Sequence, residues 1–107
     1  MAAPVHPPVL IVDDEPDIVS MMSDILTEVG AHVLSASRVT QALTMAFNQK
    51  FALIIVDMQL PQGSGAQFVH TVRRDPRHIN HKTPIVVVSG NLTVEVVKDL
   101  REMISGA

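Results

Sequence analysis

In Val9-Leu10-Ile11-Val12-Asp13-Asp14, four apolar residues are followed directly by two carboxylates. The pattern returns twice, in Leu53-Ile54-Ile55-Val56-Asp57 and in Ile85-Val86-Val87-Val88-Ser89. Short runs of aliphatic, largely β-branched residues between polar ones are typical of strands that are buried on both faces of a parallel sheet. Because ligands of open parallel sheets bind at the carboxyl ends of the strands, we expect the polar residues that end these runs to meet in one acidic pocket.

Size and composition limit the classes of function. The chain has 107 residues, enough for one domain, and a formal net charge of −3, which gives no basic surface for nucleic acid. It has no cysteine, which excludes disulfide and thiolate chemistry and is compatible with a reducing cytoplasm. Residues 1–8 predict an extended leader, and no apolar run reaches the roughly 20 residues of a membrane span. We therefore expect a cytoplasmic domain without direct binding to nucleic acid or membranes.

The first half of the chain alternates strand and helix signals. Pro16 suits the first position of a helix, and Gly30 stands where a left-handed C-terminal cap is expected. A brief strand around Val33 and Leu34 follows, and then a second helix with Ser37 as its N-cap.

The second half continues this alternation. A strand that begins at Phe51 or Ala52 and ends at Val56 leads into a loop rich in Gly and Pro, and another helix is expected from about Ala66. In its last turn, Arg73 and Arg74 complement the helix dipole. A polar loop over residues 75–83, a fourth strand opened by Pro84 and a last helix over residues 93–106 complete the pattern. Four alternations predict a doubly wound parallel sheet with helices on both faces.

The expected pocket brings several carboxylates together. Neighbouring carboxylates repel one another, and a bound cation removes that conflict. Hard oxygen ligands without Cys or a pair of His select Mg²⁺, with Mn²⁺ as the other fitting ion. Since Mg²⁺ keeps waters and accepts phosphate oxygens, a phosphoryl donor is the substrate that such a site suits.

These residues resemble the receiver domain of two-component response regulators. The matching elements are Asp13-Asp14, Asp57, Leu60-Pro61 with Gly65, and Ser89-Gly90. The resemblance covers residues 9–107 and implies a flavodoxin-like sheet of strand order 2-1-3-4.

The resemblance also implies a role for each matching residue. Those that act on the phosphoryl group are Asp57 as its acceptor, the Ser89 hydroxyl and the Gly90 backbone amide. Those that hold Mg²⁺ are Asp14, Asp13 largely through water, Asp57 and the backbone carbonyl of Gln59. The donor is a phosphohistidine on a sensor histidine kinase or a phosphotransfer protein, and the domain is a signalling module, not an enzyme.

One part of the family pattern lies beyond this chain. Such domains continue from a pair like Gly106-Ala107 into a fifth strand that ends in Lys-Pro, and then into a fifth helix; Lys82 and Lys98 occupy no equivalent place. Without the fifth strand, the apolar fourth strand becomes an edge through which two copies could form a dimer.

Other interpretations stay open at this point. The main alternative is a phosphorylation-independent interaction domain on the same scaffold. A metal-dependent phosphatase is disfavoured because Gln59 stands where a second, proton-transferring Asp is needed, and a flavin carrier because Asp13 and Asp14 would repel a flavin phosphate. We interpret His70, His78 and His81 as solvated surface residues, not as metal ligands.

Overall fold

The computed structural model describes residues 7–60 and 63–88, together with residues 98, 99 and 102. In chain order, the elements are β1 (Val9–Val12), α1 (Pro16–Glu28), β2 (Val33–Ala36), α2 (Val39–Asn48), β3 (Leu53–Asp57), β4 (Gln59–Leu60), β5 (Gly63–Ser64), α3 (Gly65–Arg74) and β6 (Ile85–Val88). Most of the leader and of the expected last helix lie outside the described residues. Lys98, Asp99 and Glu102, which belong to the latter, are helical and exposed.

Four strands form the main sheet, in the order β2-β1-β3-β6. All three pairings are parallel, with Val9 opposite both Val33 and Leu53, and Asp57 opposite Val88. Since β6 is the predicted fourth strand, the prediction of a doubly wound sheet of order 2-1-3-4 is confirmed. β1 and β3 lie in the centre and are buried over nearly their whole length, which explains their continuous apolar sequence.

The two faces of the sheet carry separate cores. Successive strand residues point to opposite faces, so alternate residues of β1 and β3 enter each core. On one face, these residues pack with α2 and α3, in a cluster that includes Leu10, Ile54, Phe51 and Phe68. On the other face, Ile11, Ile55 and their neighbours pack with Met22 and Leu26 of α1.

Helix α1 begins and ends where the sequence signals predict, whereas α2 begins differently. Pro16 begins α1, and Gly30 follows its end with a φ of 88°. The expected Ser37 N-cap of α2 is wrong, because the N-cap is Arg38, which has extended backbone and makes no side-chain cap bond. Instead, the backbone N–H of Ser37 donates to Oε1 of Gln41 at 3.1 Å, since the longer side chain reaches back from the first turn.

The end of β3 also differs from the expectation. Asp57 is the last residue of the strand and not the first of a loop, because the pairing continues through the Met58 N–H, which donates to the Val88 carbonyl at 2.8 Å. Beyond it, the expected loop contains the short antiparallel pair of β4 and β5. Ser64 then caps α3, accepting from the Gln67 N–H at 3.2 Å.

The segment over residues 75–83 is not an ordinary solvated loop. Asn80 is fully buried within it, and its Oδ1 accepts from the Phe51 N–H at 2.8 Å. Its Nδ2 donates to the carbonyls of Ala46 at 2.6 Å and Gln49 at 2.8 Å. The buried Thr83 hydroxyl donates to Asn80 Oδ1 at 2.9 Å. These bonds hold the segment against the end of α2 and the amino end of β3.

Arg73 holds the same segment from α3. Its guanidinium donates to the backbone carbonyls of Asn80, His81 and Thr83, with a separation of 2.6 Å at Thr83. Arg73 therefore does more than complement the helix dipole. His78 likewise differs from a purely solvated residue, because it is half-buried and its Nδ1 accepts from the Asn80 N–H at 3.0 Å.

Candidate metal centre

Three carboxylates converge at the carboxyl edge of the sheet. Asp13 and Asp14 directly follow β1, and Asp57 ends the neighbouring β3, where Val12 lies opposite Val56. One carboxylate oxygen of each lies within 4.8 Å of those of the other two. Asp13 is buried, Asp57 half-buried and Asp14 exposed, so the group opens to solvent on one side. The structure thus brings together the three acidic residues that the strand ends predicted.

Asp13 is the most enclosed of the three, with 7% of its surface exposed. Its backbone N–H donates to the Ala36 carbonyl at 3.0 Å, and its Oδ1 accepts from the Glu15 N–H at 2.9 Å. Burial raises the pKa of Asp13 above its ordinary value; the Glu15 N–H opposes this, and the charges of Asp57 and Asp14 add to it. The ionised form of Asp13 is therefore disfavoured in the site unless a positive charge is present.

The backbone around Asp57 is fixed from two sides. Met58 donates to β6 through its N–H, and its carbonyl accepts from the Gly65 N–H of α3 at 3.0 Å. A Cβ added at Gly65 would lie 2.5 Å from the Asp57 carbonyl oxygen, so only glycine permits this approach. The Asp57 side chain accepts from the Gln59 N–H at 3.2 Å, which orients one carboxylate oxygen.

The donor set fits a hard divalent cation. All three side chains offer carboxylate oxygens, which Mg²⁺ prefers over the nitrogen and sulfur ligands of zinc. Ligands on opposite sides of a Mg²⁺ ion lie about 4.2 Å apart, and a carboxylate that acts through water can lie further away. The separation of up to 4.8 Å suits an ion that one of the three contacts through water. A bound cation would also relieve the desolvated charge of Asp13.

Of the other predicted site residues, the structure describes Gln59 but not Ser89 or Gly90. Gln59 is exposed, and its N–H bonds to Asp57; the role of its carbonyl as a ligand stays a prediction. Ser89 and Gly90 lie outside the described residues. The strand that precedes them, β6, ends with Val88 opposite Asp57.

A cavity beside the carboxylates was not expected from the sequence. Its volume is about 360 Å³, and it extends from Asp13 and Asp14 between α1 and the β2–α2 connection. The polar residues that line it include Ser20, Ser35, Ser37 and Gln41. The serines that directly precede and follow the end of β2 are the signal that could have indicated it, because they occupy the same edge of the sheet as Asp13.

The comparisons with known proteins agree with this geometry. The family model described as "Response regulator receiver domain" matches residues 9–104, and the chain belongs to this family. It is 38% identical over 68 residues to the response regulator receiver protein Anae109_2439 of Anaeromyxobacter sp. strain Fw109-5, with 63% of this chain and 29% of that protein covered. It is 32% identical over 87 residues to the response regulator protein PilR of Pseudomonas aeruginosa, with 81% of this chain and 19% of that protein covered.

The solved structures agree as well. The chemotaxis response regulator CheY4 of Vibrio cholerae superposes with a TM-score of 0.74 at 31% identity, with 96% of this chain and 82% of that chain covered. Receiver domains are signalling domains that act with histidine kinases or phosphotransfer proteins and bind Mg²⁺ through an acidic pocket. The chain spans less than a third of the two curated relatives, so the activities of those whole proteins do not follow from the match. Within the described part of the chain, no helix is long and apolar enough to span a bilayer.

Proposed function

We propose that Asp57 accepts a phosphoryl group from a sensor histidine kinase or a phosphotransfer protein in a Mg²⁺-dependent reaction, and that the chain thereby acts in signalling in the cytoplasm. The observation that carries this proposal is the convergence of Asp13, Asp14 and Asp57, with oxygens within 4.8 Å of one another. Of these, Asp57 is half-buried, and the next residue, Met58, is bonded through its backbone to both β6 and α3.

Asp57 suits the role of acceptor because phosphoryl transfer mainly requires positioning and neutralisation of charge. Its partly exposed carboxylate is accessible to a donor, and the Gln59 N–H restricts its rotation. In the proposed step, a carboxylate oxygen of Asp57 forms a bond to phosphorus as the bond from phosphorus to the donor nitrogen breaks, and the departing imidazole takes up a proton. The chain ends the step as an acyl phosphate, and no other group of the chain is consumed.

The remaining residues of the site support this step. Asp14, Asp13 through water, Asp57 and the Gln59 carbonyl are the proposed ligands of Mg²⁺, and Mn²⁺ would serve as well. When bound, the cation neutralises charge on the phosphoryl oxygens. Ser89 and Gly90 are the proposed hydroxyl and amide donors to the same oxygens, on the strength of the family match over residues 9–104.

The test uses small phosphoryl donors and intact-mass measurement. Incubation with Mg²⁺ and either acetyl phosphate or phosphoramidate should add the mass of one phosphoryl group to the wild type and nothing to Asp57→Asn. Asp75→Asn is the matched control, because Asp75 is an aspartate in the segment at the opposite end of the sheet. EDTA should prevent the addition. Equal labelling of Asp57→Asn and the wild type would contradict the assignment.

A second measurement separates this function from a phosphorylation-independent interaction domain. Beryllofluoride with Mg²⁺ mimics a phosphoryl group on an aspartate and should shift amide resonances around β3 and β6 in NMR spectra. Shifts limited to Asp13, Asp14 and Asp57 would instead favour an interaction domain that binds Mg²⁺ without switching.

We further propose that residues 9–107 belong to the receiver domain and that residues 1–8 form an extended leader; the family match over residues 9–104 supports the first part of this proposal. We also propose that two copies pair through β6. β6 lies at an end of the described sheet, and Val87 is 38% exposed there. Sedimentation should show a dimer that Val87→Lys weakens, because a charge on an edge strand opposes strand pairing.

A further inference from the structure

An apolar patch with a basic rim lies at the end of the molecule opposite the carboxylates. Phe47, near the end of α2, is the most exposed large hydrophobic residue that the structure describes, at 75%. Its ring meets that of His78 edge to face, with centroids 6.2 Å apart, and the next residue, Ile79, is 46% exposed. We call these three residues, together with the exposed cations near them in sequence, the Phe47 surface. Its members are Phe47, His78, Ile79, Lys50, Arg74, Arg77 and Lys82.

The charge of this surface is opposite to that of the whole chain. The net charge of the chain is −3, but residues 70–82 contain four Arg or Lys against one Asp, and Lys50 follows Phe47. Asp75 lies 3.6 Å from Arg77 and offsets part of this charge. The exposed cations are Lys50, Arg74, Arg77 and Lys82.

The Phe47 surface is also held in place. Asn80 bonds the 75–83 segment to the last turn of α2, on which Phe47 stands, and Arg73 bonds the same segment to α3. A surface that is already ordered loses little conformational entropy when a partner binds. Phe47 and Arg77 are both exposed, and aromatic residues and arginine are the types enriched in interface hot spots.

We infer that the Phe47 surface docks an acidic segment of a partner protein that carries an apolar side chain. The apolar side chain would cover Phe47 and Ile79, and the carboxylates would face Arg77 and the other exposed cations. A protein partner fits better than nucleic acid, because Phe47 is the one exposed phenylalanine among the described residues and the chain as a whole is acidic. The surface lies at the amino ends of the strands, so it leaves the carboxylates at the other edge accessible. The inference therefore does not depend on phosphoryl transfer to Asp57.

The test selects peptides on the wild-type protein from a phage-displayed library of random dodecapeptides. Enriched peptides should carry a net negative charge and at least one large apolar residue, and the amide resonances that they shift should lie in residues 43–50 and 74–82. Phe47→Ala and Arg77→Glu should each weaken binding of the synthetic peptides by roughly tenfold or more, as expected for hot-spot residues. Their matched controls, Met21→Ala and Arg38→Glu, change residues that are exposed elsewhere and should leave the affinity unchanged.

Several outcomes would overturn the inference. Peptides without an acidic excess, peptides that bind all four variants alike, or the absence of any selected binder would each contradict an acidic protein partner. Binding of the wild type to phosphatidylglycerol vesicles that Phe47→Ala abolishes would assign the surface to membranes. Concentration-dependent self-association that the same variant abolishes would assign it to a second copy. Phosphorylation of Asp57 should be the same in Phe47→Ala and the wild type, which separates this inference from the proposed function.

Discussion

Each end of the sheet holds one buried polar side chain, Asp13 at the carboxyl edge and Asn80 at the amino end, and the two lie in opposite surroundings. At the carboxyl edge, Asp13 is buried beside two further carboxylates, and burial and like charge both disfavour its ionised form. At the amino end, Asn80 is fully buried, but every polar atom of its side chain has a hydrogen-bond partner. The two side chains show where this chain gains stability and where it loses it: both polar atoms of the Asn80 side chain are hydrogen-bonded within the fold, whereas the charge of Asp13 would be offset only by a bound cation.

The largest effect is expected at the amino end, from Asn80→Ala. The substitution leaves the Phe51 N–H and two carbonyls of the α2 end without their partner in a buried place, so it should lower the free energy of unfolding by about 3 kcal/mol. Urea denaturation measures this loss. Asn48→Ala, at an exposed position of the same helix end, should change stability by less than about 0.5 kcal/mol. Similar losses in both variants would show that the buried hydrogen bonds of Asn80 contribute no more to stability than an exposed residue of the same helix end.

Arg73→Met should have the next largest effect. It removes the guanidinium that donates to three carbonyls but keeps an apolar stem, and a loss of about 2 kcal/mol is expected because hydrogen bonds to a charged group are lost. Arg74→Met removes the neighbouring, exposed cation and should cost less than about 0.5 kcal/mol. Equal destabilisation by the two substitutions would show that Arg73 acts only as a complement of the helix dipole.

Gly65 lies beside Asp57 at the carboxyl edge, and Gly30, beyond the end of α1, provides a matched control. Gly65→Ala forces a shift of the backbone next to Asp57 and should cost about 1–3 kcal/mol and weaken Mg²⁺ binding in calorimetry. Gly30→Ala meets no atom within 4 Å and should destabilise through its positive φ alone, by about 1 kcal/mol. Its Mg²⁺ affinity should equal that of the wild type. If both variants lost the same affinity, the loss would reflect general destabilisation and not the Asp57 backbone.

The smallest effect is expected from Asp13→Asn, and it has the opposite sign. The pKa of Asp13 is raised, so the folded protein keeps this proton to a higher pH than the unfolded chain does. The stability that protonated Asp13 contributes is present in acid and is lost as the pH rises through its raised pKa. Without metal, Asp13→Asn should therefore melt a few degrees above the wild type at pH 7, with a smaller difference near pH 4. Added Mg²⁺ should reverse the order, because the variant lacks one carboxylate of the site.

Local signals and sheet register account for what the sequence could predict. Val9–Val12 and the Pro16 helix start are decided by residues that are adjacent in the chain. Asp13 and Asp57 are far apart in sequence, yet their meeting was predictable because parallel strands end at the same edge of a sheet.

The rest depends on tertiary contacts that leave little trace in the sequence. Asn80 stands in a polar loop like any turn residue, and its bonds to Phe51 and Ala46 span 29 and 34 residues. The helix dipole alone is enough to explain a cation at Arg73, so nothing in the sequence indicated its hydrogen bonds to the following segment. The shift of the α2 N-cap from Ser37 to Arg38 and the small β4–β5 pair arise from competition between nearly equivalent local arrangements, which propensity alone does not resolve.

Helix α3 gives the molecule a mechanical property. At its first residue, Gly65, it contacts the backbone of Asp57, and a little more than two turns later Arg73 holds the segment that carries Ile79. Ten residues of α-helix extend about 15 Å as one stiff body. A sliding of this helix along its axis would displace both of its attachments at once, so the two extremities of the domain cannot relax independently of each other.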